Sequence, residues 1–412
     1  MMPKVSVVIP VYKVEKYLPA CLDSVLSQSL QDIEVICIDD ASPDRCPEML
    51  DEYAARDARI RVLHLPENHQ QGYGRNRGTE MARGKYVYFL DSDDMITPEA
   101  LEGLYKVAEI DNLDCIYFDS QVIFDNKKVE MQNITYFCGR QGKYENKVYS
   151  GRELFELFVE QHDWNSYVQR TFWRREFLLK NAVFSLEHIE HEDEFFTLKG
   201  ALLANKVRYI PKDYFIRRYR DDSVMTRPPH PKDFHGYFVT YCSMIDFVEE
   251  TGYSSKGVSN RIMHMYERME RFFLLFSQGD NPYKWFQDRE QLQVYRYYSY
   301  AKRFREMYYK SLVTRFSVPI SSENRIWIYG AGIVGKRVYQ ILINNGYIVE
   351  GFLVTHKEGN PKVLLGREVF QIEEVKPSAD RTAVVAAIGT AQKEMQRILE
   401  EHGWRYSVFD HR

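Results

Sequence analysis

YVYFLDSDDM, residues 86 to 95, decides the fold of this chain. Its first half is a run of aromatic and aliphatic residues of the kind that forms a buried strand. Its second half sets Asp91, Asp93 and Asp94 close together, and like charges so placed repel unless a positive group lies among them. In an open parallel sheet, strands end in this way where they meet a ligand crevice.

Three other segments share the strand pattern. VSVVIPVY (5 to 12), IEVICIDD (33 to 40) and IRVLHL (60 to 65) are short apolar runs, and the opening stretch belongs to a fourth, KYVYFLD (85 to 91). Between them VEKYLPACLDSVLSQ, PEMLDEYAARD and RNRGTEMARG carry helical spacing. The alternation predicts parallel strands joined by right-handed crossovers in an α/β nucleotide-binding sheet with flanking helices. Pro10 to Tyr12, Asp39 with Asp40, and Asp91 to Asp94 then converge on one crevice outside the carboxyl ends of the strands.

A chain of 412 residues is long enough for two or three domains. After about residue 112 the pattern becomes mixed, with a strand expected at DCIYFDSQVIF, a helix at RELFELFVEQ and an acidic stretch in HIEHEDEFFTLKGALL. RPPHPK (227 to 232) reads as a hinge or boundary, and the aromatic-rich helical spacing beyond it lasts to about 315. SVPISSEN (317 to 324) reads as a second boundary, before the fresh strand-turn-helix RIWIYGAGIVGKRVYQIL. The expected division is 1–226, a helical region 227–320, and a small Rossmann-like unit 321–412.

The formal net charge of −4 and the 28% of charged residues describe a globular chain with no bias toward nucleic acid. Six scattered cysteines include no CxxC pair, which fits a reducing compartment. VSVVIPVY is too short for a signal peptide or a membrane span. A cytoplasmic protein is expected, with peripheral contact at the inner face of the membrane and oligomerisation left open.

Hard oxygen ligands at Asp91, Ser92, Asp93 and Asp94 suit Mg²⁺ or Mn²⁺ shared with substrate phosphates. The same residues also suit a helix N-cap cluster ahead of Thr97-Pro98-Glu99. Asp39 and Asp40 allow two readings as well, a ligand site or a turn with Asx hydrogen bonding.

VSVVIPVYKVEKYL, IEVICIDDASPD, GYGRNRG and YFLDSDD, in this order and spacing, resemble the inverting glycosyltransferases of family 2, which have the GT-A fold. The resemblance is clear over residues 4 to about 120 and weaker to about 226. It implies a nucleotide-diphosphate sugar as donor, a saccharide or glycolipid acceptor, and a role in cell-surface polysaccharide or glycolipid synthesis. Pro10 and Tyr12 resemble the segment flanking the nucleotide base, and Asp40, with Asp39 beside it, resembles the carboxylate that accepts a hydrogen bond from the base. Arg75 in GRNRG resembles a residue near the diphosphate. Asp91, Asp93 and Asp94 resemble the metal-binding DxD element, with Ser92 in the nucleotide-binding set. Lys13 stands where Asn is common in the family, and Ala41 where Gly is common.

An inverting transferase needs a base for the acceptor proton. Glu192-Asp193 in HEDEFF resembles the family's acidic pair, with Asp193 as the base, although acids at a helix start also suit the helix dipole. Arg217, Arg218 and Arg220 with Ser223 resemble a segment that lies over the donor diphosphate or the acceptor, and arginine suits phosphate through its planar fork; a solvated basic loop is the other reading. Trp164 is either a sugar-stacking ring or core.

Gly330, Gly332 and Gly335 in GAGIVG lie in the context of a nucleotide fingerprint, yet the next strand ends in Thr355, His356 and Lys357, without the acid expected for a ribose. This unit is similar to the nucleotide-sugar-binding domains attached to some sugar-modifying enzymes; a structural or regulatory role without ligand is the alternative. Two rival functions follow: an oxidoreductase or epimerase using this loop, and a non-catalytic scaffold whose aromatic helical region, 236 to 315, joins partners or membrane.

Overall fold

The structure is a computed structural model, and it describes residues 2–125, 140, 143–220, 230–276, 316–321, 324–387 and 389–409. The chain divides into two compact units, Met1–Met269 and Glu270–Arg412.

The first unit is built on an eight-stranded sheet whose strands lie in the order Ile60–His64, Ile33–Asp39, Val5–Val11, Tyr86–Phe89, Thr171–Arg174, Cys115–Phe124, Val207–Tyr219 and Met95–Ile96. The four segments expected as strands form β1 (Val5–Val11), β2 (Ile33–Asp39), β3 (Ile60–His64) and β4 (Tyr86–Phe89). β1 pairs in parallel with β2 and with β4, and β2 with β3. Helices α1 (Leu18–Leu26), α2 (Cys46–Arg56) and α3 (Gln70–Met81) are the crossovers, and α4 (Ala100–Asp111) follows the short β5 (Met95–Ile96). All seven residues of β1 are buried, which explains why the sequence shows an apolar run rather than an alternation. Val5, Val7, Ile9 and Val11 pack into one core with Leu22 and Leu104, while Val8 enters the core on the other face with Trp173 and Phe196.

The sheet continues through β6 (Cys115–Phe124), β7 (Thr171–Arg174) and β8 (Val207–Tyr219), with β7 antiparallel to both β4 and β6. Helices α5 (Gly151–Glu160), α6 (Arg175–Lys180) and α7 (Asp193–Leu203) cover this half. Beyond the site of the expected hinge come two long helices, α8 (Pro231–Thr251) and α9 (Lys256–Phe276). Trp164 meets Phe155 edge-on at 4.8 Å and packs, half-buried, against the core.

Lys13 and Ala41 have φ of 53° and 56°. Left-handed backbone is tolerated by Gly and by Asn and disfavoured for other residues, which gives a conformational reason for the family's habit at both positions. Ala41→Gly is expected to stabilise the protein by about 1 kcal/mol, the left-handed penalty less the entropy of glycine. A melting temperature unchanged or lowered would show that the strain is not there.

In the second unit, β9 (Arg325–Tyr329), β10 (Val349–Val354), β11 (Val363–Leu364), β12 (Arg367–Gln371), β13 (Arg381–Val385) and β14 (Tyr406–Val408) form a sheet of order β11-β12-β10-β9-β13-β14. Apart from β11 the pairs are parallel, and helices α10 (Ile333–Asn344) and α11 (Gly389–Glu401) complete an alternating pattern. The first strand therefore lies at the centre, with the chain winding out on both sides as in Rossmann-like sheets.

Candidate functional site

The crevice forms where β1, β2 and β4 end. Pro10 lies within β1 opposite Ile38, and Tyr12 just beyond it is 46% exposed, leaving its ring open to a planar ligand. Asp39 and Asp40 are both buried. Asp39 accepts from the Ser42 amide at 3.1 Å, the Asx turn that the sequence allowed, and its other oxygen meets His64 Nδ1 at 2.8 Å. That hydrogen bond holds the His64 imidazole above its usual pKa. Asp40 accepts the backbone amides of His69 and Gln70 at 2.7 and 2.8 Å. Its carboxylate thereby fixes the start of α3, where Gln70 has φ of 69°.

The positive charge required by the acidic cluster comes from arginines on α3 and at the end of β8. Asp91 accepts from Arg75 Nη2 of α3 at 2.8 Å and, through its other oxygen, from Gln169 Nε2. Asp93 accepts from Arg220 Nε at 2.7 Å, and Asp94 from the backbone amide of Arg218 at 2.7 Å. Arg218 also pairs with Asp125 at 3.0 Å, and its guanidinium lies 5.3 Å from the centre of the Tyr17 ring. Arg217 instead lies 4.3 Å from the Tyr167 ring centre. Ser92 is buried between the acids, and Ser223 falls outside the described residues.

Asp94 is pushed well above the ordinary carboxylate range by burial, by Asp93 and by Asp91. Asp93 Oδ1 has no hydrogen-bond partner among the described residues. Two hard carboxylates, one with an open oxygen and one short of compensating charge, form a donor set that fits Mg²⁺ or Mn²⁺ completed by phosphate oxygens.

The acidic pair comes to the same place. Arg75 is 2% exposed and bridges the gap, one nitrogen on Asp91 and Nη1 on Glu192. Asn76 beside it donates to the Ser185 carbonyl at 2.9 Å and to Glu187 at 2.8 Å, and accepts from the Ser185 amide at 2.9 Å. A Cβ at Gly72 would lie 2.2 Å from the Leu186 carbonyl oxygen, so only glycine lets α3 approach this segment. The GRNRG element thus ties down the chain leading to α7, and Arg75 spends its fork on two carboxylates. Glu194 pairs with Arg261 at 2.6 Å; despite burial, which opposes it, that guanidinium holds Glu194 below its usual range. Asp193, first residue of α7, has no hydrogen bond to its carboxylate among the described residues. Burial and the flanking Glu192 and Glu194 push it well above the ordinary range.

Sequence reasoning missed Gln169, Asp125 and Asn76. No local pattern marks Gln169 or Asp125, whose partners are 78 and 93 residues away in the chain. Asn76 stood in view inside GRNRG, but its partner segment did not.

Residues 6–179 match the family described as glycosyl transferase family 2. EpsH of Bacillus subtilis (strain 168), which carries a glycosyltransferase name, is 30% identical over 277 residues, 67% of this chain and 75% of its own length. The chain belongs to glycosyltransferase family 2. EpsJ of the same organism, also named as a glycosyltransferase, is 34% identical over 239 residues, and the match spans 56% of this chain and 65% of EpsJ, just under two thirds. The fold is similar to the crystal structure of S. aureus TarS 1-349 in complex with UDP-GlcNAc, with a TM-score of 0.52 at 20% identity over 74% of this chain and 81% of that one.

The second unit lies beyond residues 6–179. Gly330, with φ of 123°, makes the turn after β9, and Gly335 lies against the Gly330 carbonyl, where a Cβ would come within 1.9 Å. Gly332 faces open space at the start of α10. Beyond β10, Thr355 hydrogen-bonds Tyr329 at 2.8 Å and Lys357 pairs with Glu374 at 2.6 Å. Among the described residues, no helix is long and apolar enough to cross a membrane.

Proposed function

We propose that this transferase moves a sugar from a nucleoside-diphosphate donor to a hydroxyl of a saccharide or glycolipid acceptor, with inversion, in the assembly of cell-surface glycans. The observation that carries the reading is the contrast along Glu192-Asp193-Glu194. Two of the three carboxylates are bonded to arginines, and Asp193 alone stays open, half-buried and raised in pKa. A carboxylate so placed is suited to take a proton.

Asp193 accepts the proton of the acceptor hydroxyl as its oxygen bonds to the anomeric carbon. The bond from that carbon to the diphosphate breaks on the opposite face, and its electron pair leaves with the nucleotide. Asp93 and Asp94 would hold Mn²⁺ or Mg²⁺, which would supply positive charge for the leaving diphosphate. Arg218 and Arg220 are placed to add donors to the same phosphates, while Arg75 holds Asp91 and Glu192. Tyr12 covers the base, and Asp39 and Asp40 shape its pocket. That the fold resembles a structure holding UDP-GlcNAc supports a nucleotide sugar as donor.

Titrating UDP with and without Mn²⁺ tests the reading. Asp93→Asn is expected to lower UDP affinity in Mn²⁺ to the value seen without the metal, with the fold retained. Equal affinity with and without Mn²⁺ in the parent protein would sink the metal assignment.

A further inference from the structure

The chain that brings Asp193 to the crevice is not part of the sheet. His188 and His191, shortly before Asp193, hold left-handed backbone with φ of 60° and 66°. Such a conformation persists only where surrounding structure imposes it. On one side α3 does so, through Arg75, Asn76 and the close approach at Gly72.

On the other side the work falls to α8. Its Asp233 lies 3.3 Å from His191 Nε2, and the Tyr237 ring stacks on the imidazole with centroids 3.9 Å apart. Thr240 donates its hydroxyl to the His191 carbonyl at 3.3 Å. A Cβ at Gly236 would fall 2.0 Å from the Glu190 carbonyl oxygen, so helix and segment are in backbone contact. Asp233 is itself held by the His230 amide at 2.6 Å as part of the helix cap, so its grip on His191 is rigid. The Asp193 carboxylate has no hydrogen bond among the described residues and takes its position from these neighbours.

We propose that helix α8 positions the Asp193 carboxylate, acting through His191. This rests on Asp193 as the base. His191 touches no reacting atom; it is a positioning residue, and its loss misplaces the carboxylate without removing any donor contact.

The test uses UDP-glucose, UDP-galactose and UDP-N-acetylglucosamine with Mn²⁺, following UDP release from whichever the parent hydrolyses fastest. His191→Asn keeps a side chain that tolerates left-handed backbone while removing the stacked ring. It is expected to lower kcat about 10- to 100-fold, the scale of a small misplacement of a catalytic group, with UDP affinity within about 3-fold of parent. Thr240→Val, which deletes one hydroxyl from the helix, lowers kcat in the same sense, and Thr240→Ser restores it. Parent-like kcat in His191→Asn and Thr240→Val, beside an inactive Asp193→Asn, overturns the proposal and leaves the base in place. A parallel loss of UDP affinity overturns it by placing His191 in donor binding. Parent-like turnover in Asp193→Asn removes the base reading itself, and the positioning role with it.

Discussion

Asp193→Asn transfers sugar at least about 100-fold more slowly than the parent, the lower end of what a lost general base costs. Nucleotide-sugar affinity in Mn²⁺ stays within a few-fold, because proton abstraction belongs to the transition state and adds little to holding the donor. The electrostatics add a second readout. A carboxyl whose folded pKa is raised contributes stability below its unfolded pKa, and loses that contribution as the pH rises through the folded value. Raised by burial and by Glu192 and Glu194, Asp193 makes the fold less stable as the pH rises through its folded value, so the melting temperature of Asp193→Asn is expected to fall less than the parent's over that rise. Glu192→Gln is milder in turnover, since Glu192 faces Arg75 rather than the open crevice. Near-parent turnover in Asp193→Asn with a large loss in Glu192→Gln would exchange the two roles.

Arg75→Met is expected to destabilise the first unit by about 3–5 kcal/mol, the usual cost of removing one partner from a buried ion pair. Arg75 is almost fully enclosed and is shared by Asp91 and Glu192, so the change leaves two carboxylates facing each other with no cation between them. Arg75→Lys retains the charge but cannot reproduce the fork that reaches both acids, and lies between the parent and the Met variant. Urea unfolding at pH 7 measures all three. A loss below about 1 kcal/mol in Arg75→Met would mean that solvent already screens the pair as it does at a surface.

The opening stretch shows how far local pattern reaches. Residues 86 to 89 are a strand because apolar side chains on both faces need cover on both faces, and the four-fold recurrence of such runs with helical spacers leaves a parallel sheet as the arrangement that buries them all. The convergence of Tyr12, Asp40 and Asp93 follows from that topology, since the ends of neighbouring parallel strands are close in space whatever their separation in the chain. Even Lys13 and Ala41, read as departures from a family habit, were visible in the sequence; their left-handed backbone was not, because a single residue's φ depends on the turn around it.

Which charge meets which was settled by tertiary structure. A carboxylate or guanidinium reads the same in sequence whether it faces solvent, a ligand or a buried partner. Arg75, expected near the diphosphate, binds Asp91 and Glu192, and the Glu192 contact spans 117 residues of chain. Asp40 gives both oxygens to the first amides of α3. Asp193 is left open because Arg75 and Arg261 take its neighbours on either side. The sequence by itself determined the sheet, its crevice and the pool of charged residues around it, because burial of apolar surface is written in local periodicity. Only the packing of α3, α7, α9 and the end of β8 decided which of those charges are paired and which stays free, because pairing depends on distances between elements far apart in the chain.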